Sequence, residues 1–378
     1  MREQRTLMQR MSSRVIRSGL LALIMSLEAW MSLIHAQDTL SLCFMGDVMM
    51  HSRQIETACR RDSTYSFQQY FSPIRNKIQQ ADIAVANMEF TLAGKPYAGY
   101  PQFSAPDEIL DQLSNDGFDV LLAANNHIYD KGADGTARTL QMLKKARDKH
   151  GIRFCGLAGS QEERDTTTPL IIKKEGFTIA IINFTYGTNL GSQTHWPKTN
   201  YESERAMLES AFEKAREEGA EIIIALPHWG EEYILHHSEK QEITARWLIE
   251  NGASLIIGTH PHVVQDYGTM MNDKDSTEVQ VVYSLGNAVS NMSAANTQIG
   301  LMAQVDIIRE SDGKAKILPL EFTYLWCSRP GGFSNSYTVI PVKDHLDDRE
   351  AWIGGWEHDK MMKTYRHVMM ETGIKESE

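Results

Sequence analysis

Cysteine is scarce in this chain. There are four in 378 residues, Cys43, Cys59, Cys155 and Cys327. Their irregular spacing matches no zinc-ribbon pattern. A Cys59–Cys327 pair in an exported chain and a set of unpaired, inert thiols both remain open. Beyond the N-terminal segment, no apolar run is long enough to span a bilayer. Positive charge is also short: 38 Lys and Arg stand against 49 Asp and Glu, a formal net charge of −11. An acidic surface argues against nucleic acid as the main partner, because phosphate neutralisation needs Lys and Arg. It does not argue against a small phosphoester held by metal ions. Internal repeats and low-complexity linkers are absent, which leaves one large catalytic domain with a C-terminal extension.

The N-terminus reads as a processing segment. Arg2, Arg5, Arg10, Arg14 and Arg17 precede a mostly apolar run from Leu20 to Ile34, broken by Glu28. Ile34-His35-Ala36 then offers a small-residue cleavage site. Cleavage after Ala36 is the favoured expectation, with export to the periplasm or cell surface. An uncleaved anchor is the alternative, and the only route by which this chain would meet a membrane. Removing five Arg and two acids with residues 1–36 takes the formal charge from −11 to −14. The expected division is 1–36 leader, 37–343 catalytic domain and 344–378 helical extension.

Short apolar runs alternate with helix-like runs along most of the chain. Strands are expected at 40–45, 83–86, 120–123, 177–184, 221–226 and 255–257. Helices are expected at 67–80, 106–114, 135–150, 203–218 and 239–251. This alternation indicates an α/β sheet with both faces covered. Beyond Val279 the runs 279–285, 301–308 and 317–324 read as antiparallel strands forming a second sheet. Residues 345–376 read as helical, docking on the outside.

Chemistry-bearing residues collect where strands end. Gly258-Thr259-His260-Pro261-His262 follows Leu255-Ile256-Ile257. Proline fixes its own φ and is expected to push His260 into an extended conformation, so that a rigid loop presents two imidazoles. A His-x-His pair in a polar loop commonly binds nothing. Its weight here comes from company: Asp47, Glu89, Asn126, His127 and His228 also stand just after predicted strands. In open α/β sheets ligands gather at the carboxyl ends of strands, so a convergent polar site is expected.

Eight segments carry a resemblance. They are Phe44-Met45-Gly46-Asp47-Val48-Met49, Ala86-Asn87-Met88-Glu89, Pro101-Gln102-Phe103, Gly117-Phe118-Asp119-Val120, Ala124-Asn125-Asn126-His127 with Asp130 and Gly132, His228-Trp229-Gly230 with Glu232-Tyr233, Gly258 to His262 with Gln265, and Tyr283-Ser284-Leu285-Gly286-Asn287. Together they resemble the CapA family of poly-γ-glutamate capsule synthesis, within the calcineurin-like metallophosphoesterases. The resemblance implies a four-layer α/β/β/α sandwich with a metal site at one edge. It implies one or two divalent cations, Mn, Zn or Fe, held by Asp47, Glu89, Asn126, His228, His260 and His262. The family pattern places a histidine two residues after the first aspartate; Met49 stands there, and His51 is the candidate substitute. Glu89 takes the place of the bridging aspartate, as a carboxylate can.

The same resemblance implies metal-assisted hydrolysis of a phosphoester or an anionic polymer in surface-polymer biosynthesis, with His127 as proton donor. A non-enzymatic accessory of an envelope polymer-synthesis complex and an amidase acting on γ-glutamyl bonds are the alternatives. Trp229, Tyr233, Asn287 and Arg329 are candidates to line the substrate site. The pair His236-His237 is expected to be solvated, and His150, His345, His358 and His367 to lie on helical surfaces.

Overall fold

In a computed structural model, residues 38–377 are described. The expected leader at 1–36 lies outside the described residues. The strands, in chain order, begin with β1 (Thr39–Val48), β2 (Ile83–Met88), β3 (Val120–Leu122), β4 (Arg153–Cys155), β5 (Leu157–Ala158) and β6 (Leu170–Lys174). They continue with β7 (Phe177–Thr185), β8 (Lys198–Thr199), β9 (Ile222–His228), β10 (Leu255–Ile257), β11 (Tyr267–Met271) and β12 (Glu278–Val282). The last are β13 (Asn287–Val289), β14 (Ile299–Arg309), β15 (Ala315–Ile317), β16 (Glu321–Ser328) and β17 (Thr338–Pro341).

Two mixed sheets and a small antiparallel pair, β5-β8, result. The first runs β17-β16-β14-β1-β2-β3-β4, with β13 beside β1 and β15 beside β14. Strands β1 to β4 are mutually parallel, and β14, β16 and β17 extend the sheet antiparallel. The second runs β11-β12-β10-β9-β7-β6, parallel at its centre with an antiparallel strand at each edge.

Alternation along each strand sorts the core into layers. Leu42, Phe44, Val85 and Leu122 from the first sheet meet Ile179, Ile181, Ile224 and Ile257 from the second. The opposite face of the first sheet, with Met45, Ala86 and Leu121, is covered by Ile109, Leu113, Leu140 and Leu143 of the helices Glu108–Asp116 and Gly132–His150. The far face of the second, with Ile182, Ile223 and Ile256, is covered by Leu208, Phe212, Leu248 and Ile249 of the helices Arg205–Glu217 and Glu239–Glu250. The architecture is therefore a four-layer α/β/β/α sandwich. No helix of the described residues is long and apolar enough to cross a membrane.

Several expectations need correction. The expected helix over 67–80 is helical only at Arg75–Gln80; Pro73, with no N–H and a ring that clashes with a preceding turn, confines 67–74 to turns. The late strands do not form a separate sheet. β14 and β16 join β1 in the first sheet, whereas β12 lies parallel to β10 in the second. Antiparallel character was legible in the turns between them, but sheet membership depends on pairing across more than 200 residues. The expected strand 317–324 is split into β15 and β16 at Pro319, which cannot donate to a ladder. In the C-terminal extension, two 3-10 turns precede the helix Gly355–Thr372. Its Met361 and Val368, with Trp352 and Ile374, enter the core between the sheets rather than resting on the exterior.

The four cysteines are free; Cys43, Cys155 and Cys327 are buried. Burial pushes the Cys43 thiol up to about 12, so it behaves as a small core side chain. The Cys59–Cys327 pairing is not formed: Cys327 Sγ lies against the Ser290 carbonyl and Cys59 is exposed.

Candidate metal centre

The parallel strands of each sheet deliver their carboxyl ends to one edge of the sandwich. Asp47 is the penultimate residue of β1, Glu89 directly follows β2, and Asn126 and His127 follow β3. His228 is the last residue of β9, and His260 and His262 follow β10. Close backbone approach holds the two strand ends that matter most. A Cβ on Gly46 would lie 1.8 Å from the Gly286 carbonyl oxygen, and one on Gly258 2.1 Å from that of Tyr283. Only glycine allows these contacts.

The histidine loop is not extended as expected. His260 has φ +99° and His262 φ +59°. Pre-proline sterics disfavour the right-handed helical region without dictating an extended φ, and tertiary bonds decide. Gly258 N–H donates to Val282, Thr259 N–H to Pro227, and Trp229 N–H to Thr259. The His260 N–H reaches Asp47 Oδ2 at 3.3 Å. Positive φ at a non-glycine residue costs on the order of 1–3 kcal/mol and persists only where the surroundings over-determine it.

All six candidate ligands converge and all are buried. His228 Nε2 and His262 Nε2 lie 3.6 and 3.7 Å from the same oxygen, Glu89 Oε1. Asn126 Oδ1 is 3.0 Å from His228 Nε2. Two ligands on one cation, with bonds of about 2.1 Å at right angles, are about 3 Å apart. The rings of His228 and His260 are 4.7 Å apart. Two overlapping groups have ligand atoms within 4.8 Å of one another: Glu89, His260 and His262, and Asp47, Glu89 and His228. Glu89 is common to both.

The donor set fits a cation for a physical reason. Glu89 is fully buried, and neither carboxylate oxygen has a hydrogen-bond partner. His260 Nδ1 is likewise buried without one. Burial, then the neighbouring Asp47 charge, push the Glu89 carboxyl well above its ordinary range. Burial and the adjacent imidazoles hold His228 and His260 well below theirs. Neutral imidazoles beside an unpartnered carboxylate are a ligand set rather than a salt bridge. A cation would offset the large cost of burying that carboxylate.

Residues behind the ligands fix their orientation. The Asn287 amide donates to the carbonyls of His262 and Thr297, so its oxygen faces His262 Nδ1 at 3.1 Å. That oxygen can only accept, so Nδ1 carries the proton and Nε2 keeps its lone pair toward Glu89. Asn87 donates to Asp47 Oδ1 at 2.7 Å and lies 3.3 Å from His228 Nδ1. His127 Nδ1 lies 2.7 Å from Asp130 Oδ2, and its ring meets Phe103 edge-on at 4.6 Å.

A cleft of about 320 Å³ opens in front of this cage, bounded by residues that include His127, Asp130, Asn189, Tyr233 and His262. Of the residues expected to line a substrate site, Tyr233 does so. Trp229 does not face this cleft: it is buried in the outer core of the second sheet and its indole N–H donates to the Tyr283 carbonyl. Asn287 acts behind His262. Arg329 is tied to the Met292 carbonyl and is not part of the cleft wall. His51 lies on the wall, outside both ligand groups; its Nδ1 faces Gln54 and the Asn291 N–H, and burial lowers its pKa to about 4. Met49 also lines the wall.

Elsewhere, His237 is not simply solvated. It stacks on Tyr283 at 3.8 Å and pairs with Asp266 at 2.6 Å. His358 is buried, against the His345 carbonyl, rather than on a helix surface. Sequence reasoning assigned no role to Asn87, Asp130, Asn189 or Glu232. Asn87, Asp130 and Glu232 stand inside the motif segments, so spacing could have flagged them. Asn189, 3.4 Å from both ring nitrogens of His127, sits in a loop with no such signal.

Fold and site together define an α/β/β/α sandwich with a buried carboxylate–imidazole cage suited to divalent cations. The chain belongs to the bacterial capsule synthesis protein family PGA_cap, whose model matches residues 41–292. It is similar to the capsule biosynthesis protein CapA of Bacillus anthracis, 25% identical over 319 residues, covering 80% of this chain and 74% of that protein. It is also similar to the PGA biosynthesis protein CapA of Bacillus subtilis (strain 168), 26% identical over 302 residues, covering 76% and 73%. Among solved structures, the Haemophilus influenzae NAD nucleotidase aligns with a TM-score of 0.49 at 14% identity, over 88% of this chain and 63% of that one. A 5'-nucleotidase precursor from Thermus thermophilus aligns at 0.47 and 13%, over 88% and 59%. The chain thus spans about three fifths of each of these two structures.

Proposed function

We propose that this protein is an exported, metal-dependent phosphoester hydrolase serving capsule or surface-polymer biosynthesis of the poly-γ-glutamate type. The observation that carries the reading is Glu89: a buried, unpartnered carboxylate shared by two ligand groups, one of which includes His262, a residue of the cleft wall. A purely structural metal site is closed on all sides, whereas a catalytic one faces a cleft.

Asp47, Glu89, Asn126, His228, His260 and His262 would hold one or two cations, and mixed nitrogen and oxygen ligands suit Mn, Zn or Fe. When bound, such cations supply Lewis acidity toward a phosphoryl oxygen and acidify a water. The protein's own groups do the rest. Asp130 accepts from Nδ1 of His127 and fixes that ring, so Nε2 is the atom that would deliver a proton to the departing alkoxide. Phe103 packs edge-on against His127, and Met49 and Met292 give an otherwise polar cleft wall an apolar part. The strained His260-Pro261-His262 loop pays in folding free energy for ligands already in place.

The test is a substrate panel run on chelator-treated protein with Mn, Zn or Fe restored. Phosphomonoesters, phosphodiesters and γ-glutamyl peptides are compared. Metal-dependent cleavage of a phosphoester is the expected result. Cleavage of the γ-glutamyl peptide alone would make the protein an amidase; no cleavage with any metal would make it an accessory of the polymer-synthesis complex. Export is tested by N-terminal sequencing of the native protein, with Gln37 expected as the first residue.

A further inference from the structure

The cleft in front of the cage has a charge character that bears on what can enter it. Among the described residues that form its wall there is no Lys or Arg. The two formal charges on the wall are carboxylates, Asp130 and Glu232. Asp130 is committed to His127 and to the Phe103 N–H. Glu232 is exposed and forms no ion pair among the described residues.

The backbone beside Glu232 is anchored. The next residue, Tyr233, has φ +69° and donates its N–H to the Pro261 carbonyl, between the two loop histidines, at 2.9 Å. The Tyr233 ring lies 6.3 Å from that of His262. The turn carrying Glu232 is therefore anchored to the ligand loop itself. Around it stand Tyr100, 74% exposed, and Tyr233, 43% exposed, with the amides Gln102 and Asn189. Exposed tyrosines and amides suit hydroxyl-rich or amine-bearing groups.

We propose that Glu232 makes this cleft selective for phosphoesters whose alcohol portion is neutral or cationic, a sugar or an amino alcohol, and that it rejects polyanions. The proposal rests on the hydrolase reading above and names its substrate class. Cations at the cage would attract a single phosphoryl group. A second negative charge beyond it meets the Glu232 carboxylate on a wall without Lys or Arg, in a cleft at the small end of the usual range of about 300–1,000 Å³. The acidic polymer chain is thus not the group that occupies the cleft. The phosphoester of an uncharged or amine-bearing precursor is.

The experiment uses three p-nitrophenyl phosphodiesters differing only in the second alcohol: choline, ethylene glycol and 3-hydroxypropionate. With Mn restored, kcat/KM is measured for wild type, Glu232→Gln and Glu232→Lys, with metal content and circular dichroism as controls for folding. In the wild type the choline ester should exceed the carboxylate ester by about tenfold, the scale of one partly screened charge interaction. Glu232→Gln should collapse that spread, and Glu232→Lys should reverse it. Equal rates on all three esters in the wild type, or an order unchanged in a folded, metal-loaded Glu232→Lys, would overturn the proposal and leave the hydrolase reading standing. No cleavage of any of the three diesters by the wild type would overturn the proposal, while the hydrolase reading is decided separately by the phosphomonoesters of the substrate panel.

Discussion

The two sheets bring chemically different halves to one site. The first supplies oxygen: Asp47, Glu89 and Asn126 at the ends of β1, β2 and β3. The second supplies nitrogen: His228, His260 and His262 at the ends of β9 and β10. Each of the two ligand groups draws on both halves. They meet at Glu89, whose Oε1 faces His228 and His262 across the boundary between the sheets. The oxygen half carries the electrostatic cost, an unpartnered buried carboxylate. The nitrogen half carries the conformational cost, two histidines at positive φ. The site thus depends on docking of the two sheets, and each half can be broken separately.

The largest expected effect comes from removing the meeting point or its opposite number. Glu89→Ala and His260→Ala should each abolish metal-dependent turnover while the protein stays folded, as judged by circular dichroism. Strand-end residues contribute little to the core, so the stability loss should stay within the usual range of about 0.5–3 kcal/mol. Activity surviving in Glu89→Ala would mean that the oxygen half does not need its shared member. His127→Ala sharpens the comparison, because His127 belongs to neither ligand group. Bound metal should be retained and turnover should fall by roughly 10²–10⁴-fold.

A smaller effect is expected from Asn287→Ala, which frees the ring of His262 without removing a ligand. Metal affinity should fall by roughly 10–100-fold in a titration followed by activity or calorimetry. Unchanged affinity would show that the nitrogen half is fixed by backbone alone.

The smallest effect has the opposite sign and isolates the electrostatic cost. Burial and Asp47 raise Glu89 well above its ordinary range in the absence of a cation. A carboxyl whose folded pKa exceeds its unfolded value costs nothing below the unfolded value. The cost grows as pH rises through the carboxylate range toward the raised folded value. Metal-stripped Glu89→Gln should therefore be more stable than metal-stripped wild type at neutral pH, by about 1–3 kcal/mol, with the gap closing in acid. Urea titrations at neutral and acidic pH measure this. A gap that widened in acid would mean that the carboxylate is stabilised by something other than a cation.

The nitrogen half was the more legible of the two in the sequence. Two histidines flanking a proline after Leu255-Ile256-Ile257 are rare enough to stand out, and His228 closes an apolar run. Their backbone was not legible: positive φ at His260 is imposed by bonds to β9, β12 and Asp47, all distant in sequence. The oxygen half was weaker as a signal, because Asp, Glu and Asn are common at turns, and it gained meaning from the spacing of the family motifs. The fold class followed from alternating strand and helix periods. Membership of β14 and β16 in the first sheet did not, since an antiparallel strand pattern is the same whichever sheet receives it. Trp229 shows the limit at a single position: adjacency to His228 placed it at the site, while alternation along the chain turns its ring into the outer core.

The most direct test of the account is metal stoichiometry in wild type and Glu89→Ala, measured by elemental analysis after chelation, reloading with Mn and removal of excess ion. Because both ligand groups share Glu89, the wild type should retain one or two ions per chain and folded Glu89→Ala none. Equal stoichiometry in the two proteins would contradict the claim that this carboxylate joins the halves of the site.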